Sequence, residues 1–246
     1  MSVDYFELYP YICVYTNLVD NPAEIYSIAQ KISNYPDKNL CFKWSDWPVK
    51  GGGSFGTYGF ANFGTDKNLP AIIPELESDS ELSYDNTNYF EEVKIFQAIK
   101  NAREISLEHY IKKYNVELPK KNFISISINI AKYNTDFDIG LSNDGNIPNN
   151  KSMNYHTDYT KSHGDDRQTE FLITSNIYLN DDYEGGKILF DINGEQIDYK
   201  PKAGEVVVFP SGSPLFFPEG KKYMHAVETC YLKNKFLSRN YLMYEN

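Results

Sequence analysis

Residues 153–160 read MNYHTDYT. His156 and Asp158 stand two apart, and their neighbours Tyr155, Thr157, Tyr159 and Thr160 are types that suit a β-strand. In a strand, residues i and i+2 point to the same face. The segment therefore offers an imidazole and a carboxylate side by side, which is two-thirds of a metal site. The chain has only four histidines, so the candidates for a third ligand are His109, His163 and His225. His109 falls in a helical pattern, His163 in the polar stretch TKSHGDDRQ, and His225 in the strand-like KYMHAVETCY.

The texture on either side favours a β-rich fold. NFISISINIAKY (122–133) alternates Ile124, Ile126, Ile128 and Ile130 with mostly polar residues, the pattern of a strand with one buried face. Beyond it, strand-like runs are expected at 154–160, 170–179, 186–191, 195–199, 205–209, 223–231 and 237–244. Gly, Pro, Asn and Asp clusters separate most of them. Short strands at this spacing indicate a sandwich, jelly roll or barrel. Upstream, FELYPYICVYTNLV (6–19) reads as one strand. DNPAEIYSIAQKISNY (20–35) reads as a helix with Asn21 as cap, Pro22 at the first position and Glu24 as the capping acid. Residues 87–116 read as one long helix or two, with Phe90, Val93, Phe96 and Ile99 on the buried side. The Gly-rich stretch 50–65 lacks a GK[ST] ending, so it is a loop, a bulged hairpin or a lid rather than a phosphate loop. The expected organisation is one continuous domain, with 1–120 a mixed, mainly helical support and 121–246 the β-barrel.

Composition narrows the function. The net charge of −10 and pI near 4.9 argue against nucleic acid and anionic membranes as partners. Three widely spaced cysteines suggest neither a zinc ribbon nor a disulfide framework. With a first segment that lacks a basic n-region, a cytoplasmic location is expected. The 21 tyrosines suit half-buried sheet positions and polar-lined pockets.

Several elements then occur in order after HTD: YLN (178–180), Gly185-Gly186, Pro201…Gly204…Phe209, His225-Ala226-Val227 and Arg239. Over 122–246 the sequence resembles the Fe(II)- and 2-oxoglutarate-dependent dioxygenases, in particular the prolyl 4-hydroxylase-like group. The resemblance implies an α+β fold built on a double-stranded β-helix, a jelly-roll or cupin-like barrel supported by N-terminal helices. It implies Fe(II) held by His156, Asp158 and His225, with 2-oxoglutarate and O2 as cosubstrates and ascorbate as a further candidate. Two histidines and one carboxylate leave three open positions on the metal. The distal carboxylate of 2-oxoglutarate is expected to pair with Arg239 and to accept a hydrogen bond from Tyr178, with Tyr133 lining the cosubstrate pocket. The family's basic residue usually follows the second histidine by about ten positions. Lys233 and Lys235 lie nearer that spacing, but they fall in what reads as an extended hairpin tip. Arg239 heads an apolar strand and can grip a carboxylate bidentately, so it is the preferred anchor.

The resemblance implies a peptidyl proline as substrate, with another side chain, a free amino acid or another small molecule as alternatives. A non-catalytic β-helix binding module and a zinc-dependent cupin hydrolase or isomerase are the competing classes. The loops 134–152, 159–168 and 211–222 are expected to frame the entrance, with Phe216 and Phe217 in contact with an apolar substrate or filling the barrel mouth.

Overall fold

The computed structural model describes residues 3–32, 43–49, 53–59, 86–120, 122–124, 129–133, 151–158, 169–216 and 218–245. In chain order these form β1 (Tyr5–Tyr9), β2 (Ile12–Tyr15), α1 (Pro22–Ile32), β3 (Lys43–Val49), β4 (Gly53–Gly59) and α2 (Asn86–Tyr114). There follow β5 (Asn122–Ile124), β6 (Asn129–Tyr133), β7 (Lys151–His156), β8 (Thr169–Tyr178), β9 (Glu184–Gly185), β10 (Ile188–Ile192) and β11 (Glu195–Tyr199). The last are β12 (Val206–Pro210), β13 (Tyr223–Glu228), β14 (Cys230–Tyr231) and β15 (Lys235–Glu245).

A nine-stranded antiparallel sheet runs β1-β2-β12-β8-β15-β6-β4-β3, with β5 paired to β15. A four-stranded sheet, β11-β10-β13-β7, faces it, and β14 pairs with β9. The middle strands β2, β12 and β8 of the large sheet are buried on both faces, and the side-chain alternation shows how. Val206 and Val208 of β12 join the cluster that packs under α1 and α2, while Val207 and Phe209 point into the space between the sheets. The continuous apolar run VVVF is what a strand covered on both sides requires. The small sheet is covered on one face only. Ile188, Phe190 and Ile192 of β10 turn inward, and β11 beside it is largely exposed.

The first 120 residues do more than support the barrel. Besides both helices they supply four strands to the large sheet. The run 6–19, expected as one strand, is a hairpin. Pro10 and Tyr11 form the turn, and Tyr11 takes φ 65°, so β2 folds back on β1 and β12 pairs along its other edge. The hairpin alternative for the Gly-rich stretch is realised over β3 and β4; its remainder, 60–65, lies outside the described residues. α2 is one helix. Its buried side carries Ile95, Phe96, Ile99, Ala102, Leu107 and Tyr110, so the buried stripe takes in Ile95 as well as the expected Phe96 and Ile99. At the cap of α1, Asn21 holds Glu24 through its side-chain amide at 2.8 Å. Glu24 and Lys31 of α1 in turn meet Lys94 and Glu91 of α2. Among the described residues no helix is long and apolar enough to cross a membrane.

The two-sided burial of these middle strands gives a direct expectation. Ile177 of β8 is fully buried against the helices. Ile177→Ala should destabilise the protein by about 2–5 kcal/mol, the range for emptying such a site. Urea denaturation followed by circular dichroism measures it, and a loss under 1 kcal/mol would mean that the helices pack loosely on the sheet.

Candidate metal centre and its pocket

His156 is the last residue of β7 and Asp158 lies just past the strand end, in the bend that follows. β7 pairs with β13 in a register that sets His156 opposite His225, and their ring centroids are 4.3 Å apart. Asp158 turns back towards both rings. Its Oδ1 is 3.6 Å from His156 Nε2 and its Oδ2 is 3.6 Å from His225 Nε2. The three donors all lie within 4.8 Å of one another. The sequence pair and the third ligand at His225 are thus brought together. His109 stays on α2, with Nδ1 3.1 Å from Tyr15 Oη, and His163 lies outside the described residues.

The large sheet orients this group. Asp158 Oδ2 accepts a 2.7 Å hydrogen bond from Thr174 Oγ1 of β8. Thr174 has one hydroxyl proton, so the Ser211 hydroxyl at 2.7 Å must be the donor in their contact. Phe209 stands edge-on to His225 at 4.8 Å and fixes the ring plane. Burial opposes ionisation of Asp158, but the two imidazoles and the Thr174 hydroxyl outweigh it and hold the carboxyl well below the usual range. Burial also pulls the pKa of His225 down to about 4. An ionised carboxylate beside a neutral imidazole is the protonation state in which these groups ligate a metal. Two nitrogens and one oxygen in a compact group suit iron(II).

The comparisons with known proteins agree with this geometry. The model of the 2OG-Fe(II) oxygenase superfamily matches residues 146–243, which contain all three donors. The chain resembles a Trichoplax adhaerens prolyl hydroxylase solved with a hypoxia inducible factor oxygen degradation domain peptide fragment. The two share 11% identity and a TM-score of 0.54, over 94% of this chain and 83% of that one. It also resembles the dioxygenase for auxin oxidation 1 from Arabidopsis thaliana, solved with 2-oxoglutarate, at 11% identity and TM-score 0.56, over 95% and 83%. A third is the viral collagen prolyl hydroxylase of Paramecium Bursaria Chlorella virus-1, at 13% identity and TM-score 0.50, over 95% and 96%. A search of curated proteins finds no match.

Residues 146–243 belong to the 2-oxoglutarate-Fe(II) oxygenase superfamily.

This oxygenase is a dioxygenase with a double-stranded β-helix fold, and Fe(II), 2-oxoglutarate and O2 are its cofactor and cosubstrates. Its pocket is lined by the three donors together with Tyr133, Asn176, Tyr178, Ile188, Val227, Leu237 and Arg239. Tyr133, Tyr178 and Arg239, all expected from the sequence, are on that wall. Pairing across β8 and β15 orders the wall by depth. Thr174 lies opposite Tyr241, Asn176 opposite Arg239 and Tyr178 opposite Leu237. Thr174 touches Asp158, so this rung marks the metal end. Each further rung is about 7 Å deeper, two residues of extended strand.

Lys235 departs from its expected place. Lys233 is exposed and pairs with Asp182, as a hairpin residue would. Lys235 is in β15 and fully buried, on the same face as Leu237 and Arg239. Its ammonium stands 5.7, 5.1 and 5.7 Å from the ring centroids of Tyr133, Tyr178 and Tyr183, and donates to the Gly186 carbonyl at 2.5 Å. No ion pair among the described residues includes it. Burial pulls its pKa down to about 8. Two details fix its position. Asn180 accepts from Phe236 N at 2.8 Å and donates to Asn234 O at 2.9 Å, gripping both neighbours of Lys235. Gly186, at φ +66°, lies so near Tyr183 that an added Cβ would come within 2.7 Å of its ring. The period-2 phase of KFLSR already places 235 and 239 on one face; the polar residues around Lys235 conceal it.

Phe216, expected at the barrel mouth, instead packs on the helix side, edge-on to Tyr11 and Tyr110 at 6.1 and 6.3 Å. Phe217 and the loops 134–150 and 159–168 lie outside the described residues.

The Thr174 contact can be tested apart from the ligands. Asp158→Ala should abolish tight Fe(II) binding, while Thr174→Val should weaken it by about 10–100-fold, the usual effect of removing a group that orients a ligand. Both variants should keep the far-UV spectrum of the parent. Calorimetric titration with Mn(II) as a stand-in reports the affinity, and unchanged binding in Thr174→Val would contradict an orienting role.

Proposed function

We propose that the protein hydroxylates a peptide or protein side chain, with proline as the first candidate, and that Lys235 holds the distal carboxylate of 2-oxoglutarate. The observation that carries the anchor assignment is the buried ammonium itself. Burying a cation without an anion is costly, so a buried cation with no ion-pair partner among the described residues suits a ligand that brings a carboxylate. The Tyr183 hydroxyl in the same box is buried and has no hydrogen-bond partner among the described residues. Burial keeps the phenols of Tyr178 and Tyr133 neutral, so both can donate hydrogen bonds. A carboxylate entering between Lys235 and these hydroxyls would satisfy the ammonium and the phenols together. Arg239, the anchor expected from the sequence, lies two rungs nearer the metal end.

His156, Asp158 and His225 would hold the iron. When bound, iron(II) with 2-oxoglutarate and O2 supplies the oxidation, giving succinate, CO2 and a hydroxylated C–H. The chain's own residues bind the diacid, orient it along β15 and exclude water. The apolar walls from Ile188, Val227 and Leu237 keep that path dry.

A peptidyl substrate is supported by the resemblance to a prolyl hydroxylase solved with a peptide fragment and to a viral collagen prolyl hydroxylase. The acidic net charge weighs against a phosphate backbone. A succinate-coupled assay over Pro-rich peptides, free proline and other free amino acids, with the product located by mass spectrometry, tests this reading. Turnover of a Pro-rich peptide is expected; turnover of free amino acids alone would refute the peptide substrate.

Lys235→Met should lower the affinity for 2-oxoglutarate by a factor of about 30 or more, measured by calorimetry on the Mn(II)-loaded protein. The ligand-free variant should be at least as stable as the parent, because an unpaired buried charge has been replaced by an apolar chain. A large drop in melting temperature would mark Lys235 as structural instead. The pH dependence follows from the depressed pKa. Lys235 is protonated below about 8 and binds the diacid in full there. As the pH rises through that value, binding must first take up a proton, and affinity should fall by up to about tenfold per pH unit. A flat profile between pH 7 and 9.5 would contradict this.

A further inference from the structure

Lys235 is the proposed anchor for one end of the diacid, and the pocket beside the metal donors is lined by another inward cation, Arg239. Arg239 is on the same face of β15, lines the pocket with the metal donors, and is near enough to Asp158 and Tyr133 for their charges to act on it. Its rung partner is Asn176, one step from Thr174, which touches Asp158. It therefore lies beside the metal end of any ligand that runs from the iron down to Lys235.

The spacing of the two cations is informative. Four residues of extended strand separate their Cα atoms, about 13 Å. A five-carbon diacid has four C–C bonds and spans about 5 Å between its carboxylate carbons. With a charge-assisted contact of about 3–4 Å at each end, it spans about 11–13 Å from cation to cation, the spacing that two side chains running side by side from these positions would have. The Tyr133 ring, 5.7 Å from the Lys235 ammonium and within the field of Arg239, forms the wall between the two ends. A guanidinium can donate to both oxygens of one carboxylate at once, and this carboxylate retains lone pairs for the metal.

We infer that Arg239 binds the metal-end carboxylate of 2-oxoglutarate, so that the protein grips the diacid by a cation at each end. This rests on the proposed cosubstrate site with Lys235 at its floor. The consequence is that 2-oxoglutarate binds the metal-free protein, with no help from chelation. Arg239 is thus a binding residue whose contribution is seen most clearly when the metal is absent.

The experiment is calorimetric titration of EDTA-treated, metal-free protein with two probes, 2-oxoglutarate and 4-oxopentanoate. The second is the same chain with a methyl group in place of the metal-end carboxylate. The metal-free parent should bind 2-oxoglutarate about tenfold or more tightly than 4-oxopentanoate. Arg239→Met should lose about that factor for 2-oxoglutarate and keep its affinity for 4-oxopentanoate within about threefold. The parent comparison requires no variant, so a poorly folding Arg239→Met leaves the test intact. Equal binding of the two probes by the metal-free parent overturns the inference. So does a metal-free parent that binds neither probe while the Mn(II)-loaded protein binds 2-oxoglutarate; the cosubstrate site then stands and the Arg239 grip falls. Failure of the Mn(II)-loaded parent to bind 2-oxoglutarate overturns the cosubstrate site and the grip together.

Discussion

A single buried ammonium constrains much of this structure. Lys235 is enclosed by three tyrosine rings and one backbone carbonyl. An ion in that setting tolerates little displacement, because each lost contact exposes a charge to a medium that solvates it poorly. The segments around it are accordingly tied down. Asn180 grips the chain on both sides of Lys235. Tyr178 is held at both ends of its peptide unit, its N–H donating to Glu205 O at 2.9 Å and its carbonyl accepting from Gly204 N at 2.8 Å. Gly204 takes φ +84° with an added Cβ only 3.2 Å from Pro22, so this grip also seats the start of α1. The YLN, Gly-Gly and Pro…Gly elements thus act as supports for the buried ammonium.

The other end of the pocket depends on two sheets meeting. His156 and His225 come from the small sheet, held opposite each other by the β7–β13 register. Asp158 leaves β7 and is held by Thr174 of the large sheet. The metal end therefore forms only when the sheets close over their shared core, and the cations of β15 then lie below it. The three metal donors and the inward face of β15 are brought together by this one closure.

The sequence made parts of this arrangement legible for identifiable reasons. The His156–Asp158 pair and His225 could be read because strand periodicity and motif order are local properties. The two-sided burial of β12 shows in VVVF for the same reason. The hairpin within 6–19 was hidden because its turn relies on Tyr11 at φ 65°, a conformation that side-chain type announces poorly. Lys235 was hidden for a stronger reason. Lysines are almost never fully buried, and one between Asn234 and a strand start reads as solvent-exposed. Its burial results from β8, β9 and β15 closing around it, which no local pattern records. The contribution of residues 5–15 to the large sheet is likewise non-local, since β2 pairs with a strand almost two hundred residues away in the chain.

The central claim is that one pocket holds iron at the triad and 2-oxoglutarate along β15. Anaerobic addition of Fe(II) and then 2-oxoglutarate, followed by visible absorption, tests it most directly. The account predicts a metal-to-ligand charge-transfer band that saturates at one diacid per chain and is absent when either component is omitted. Binding of both components with no such band would contradict it, because the diacid would then lie away from the metal.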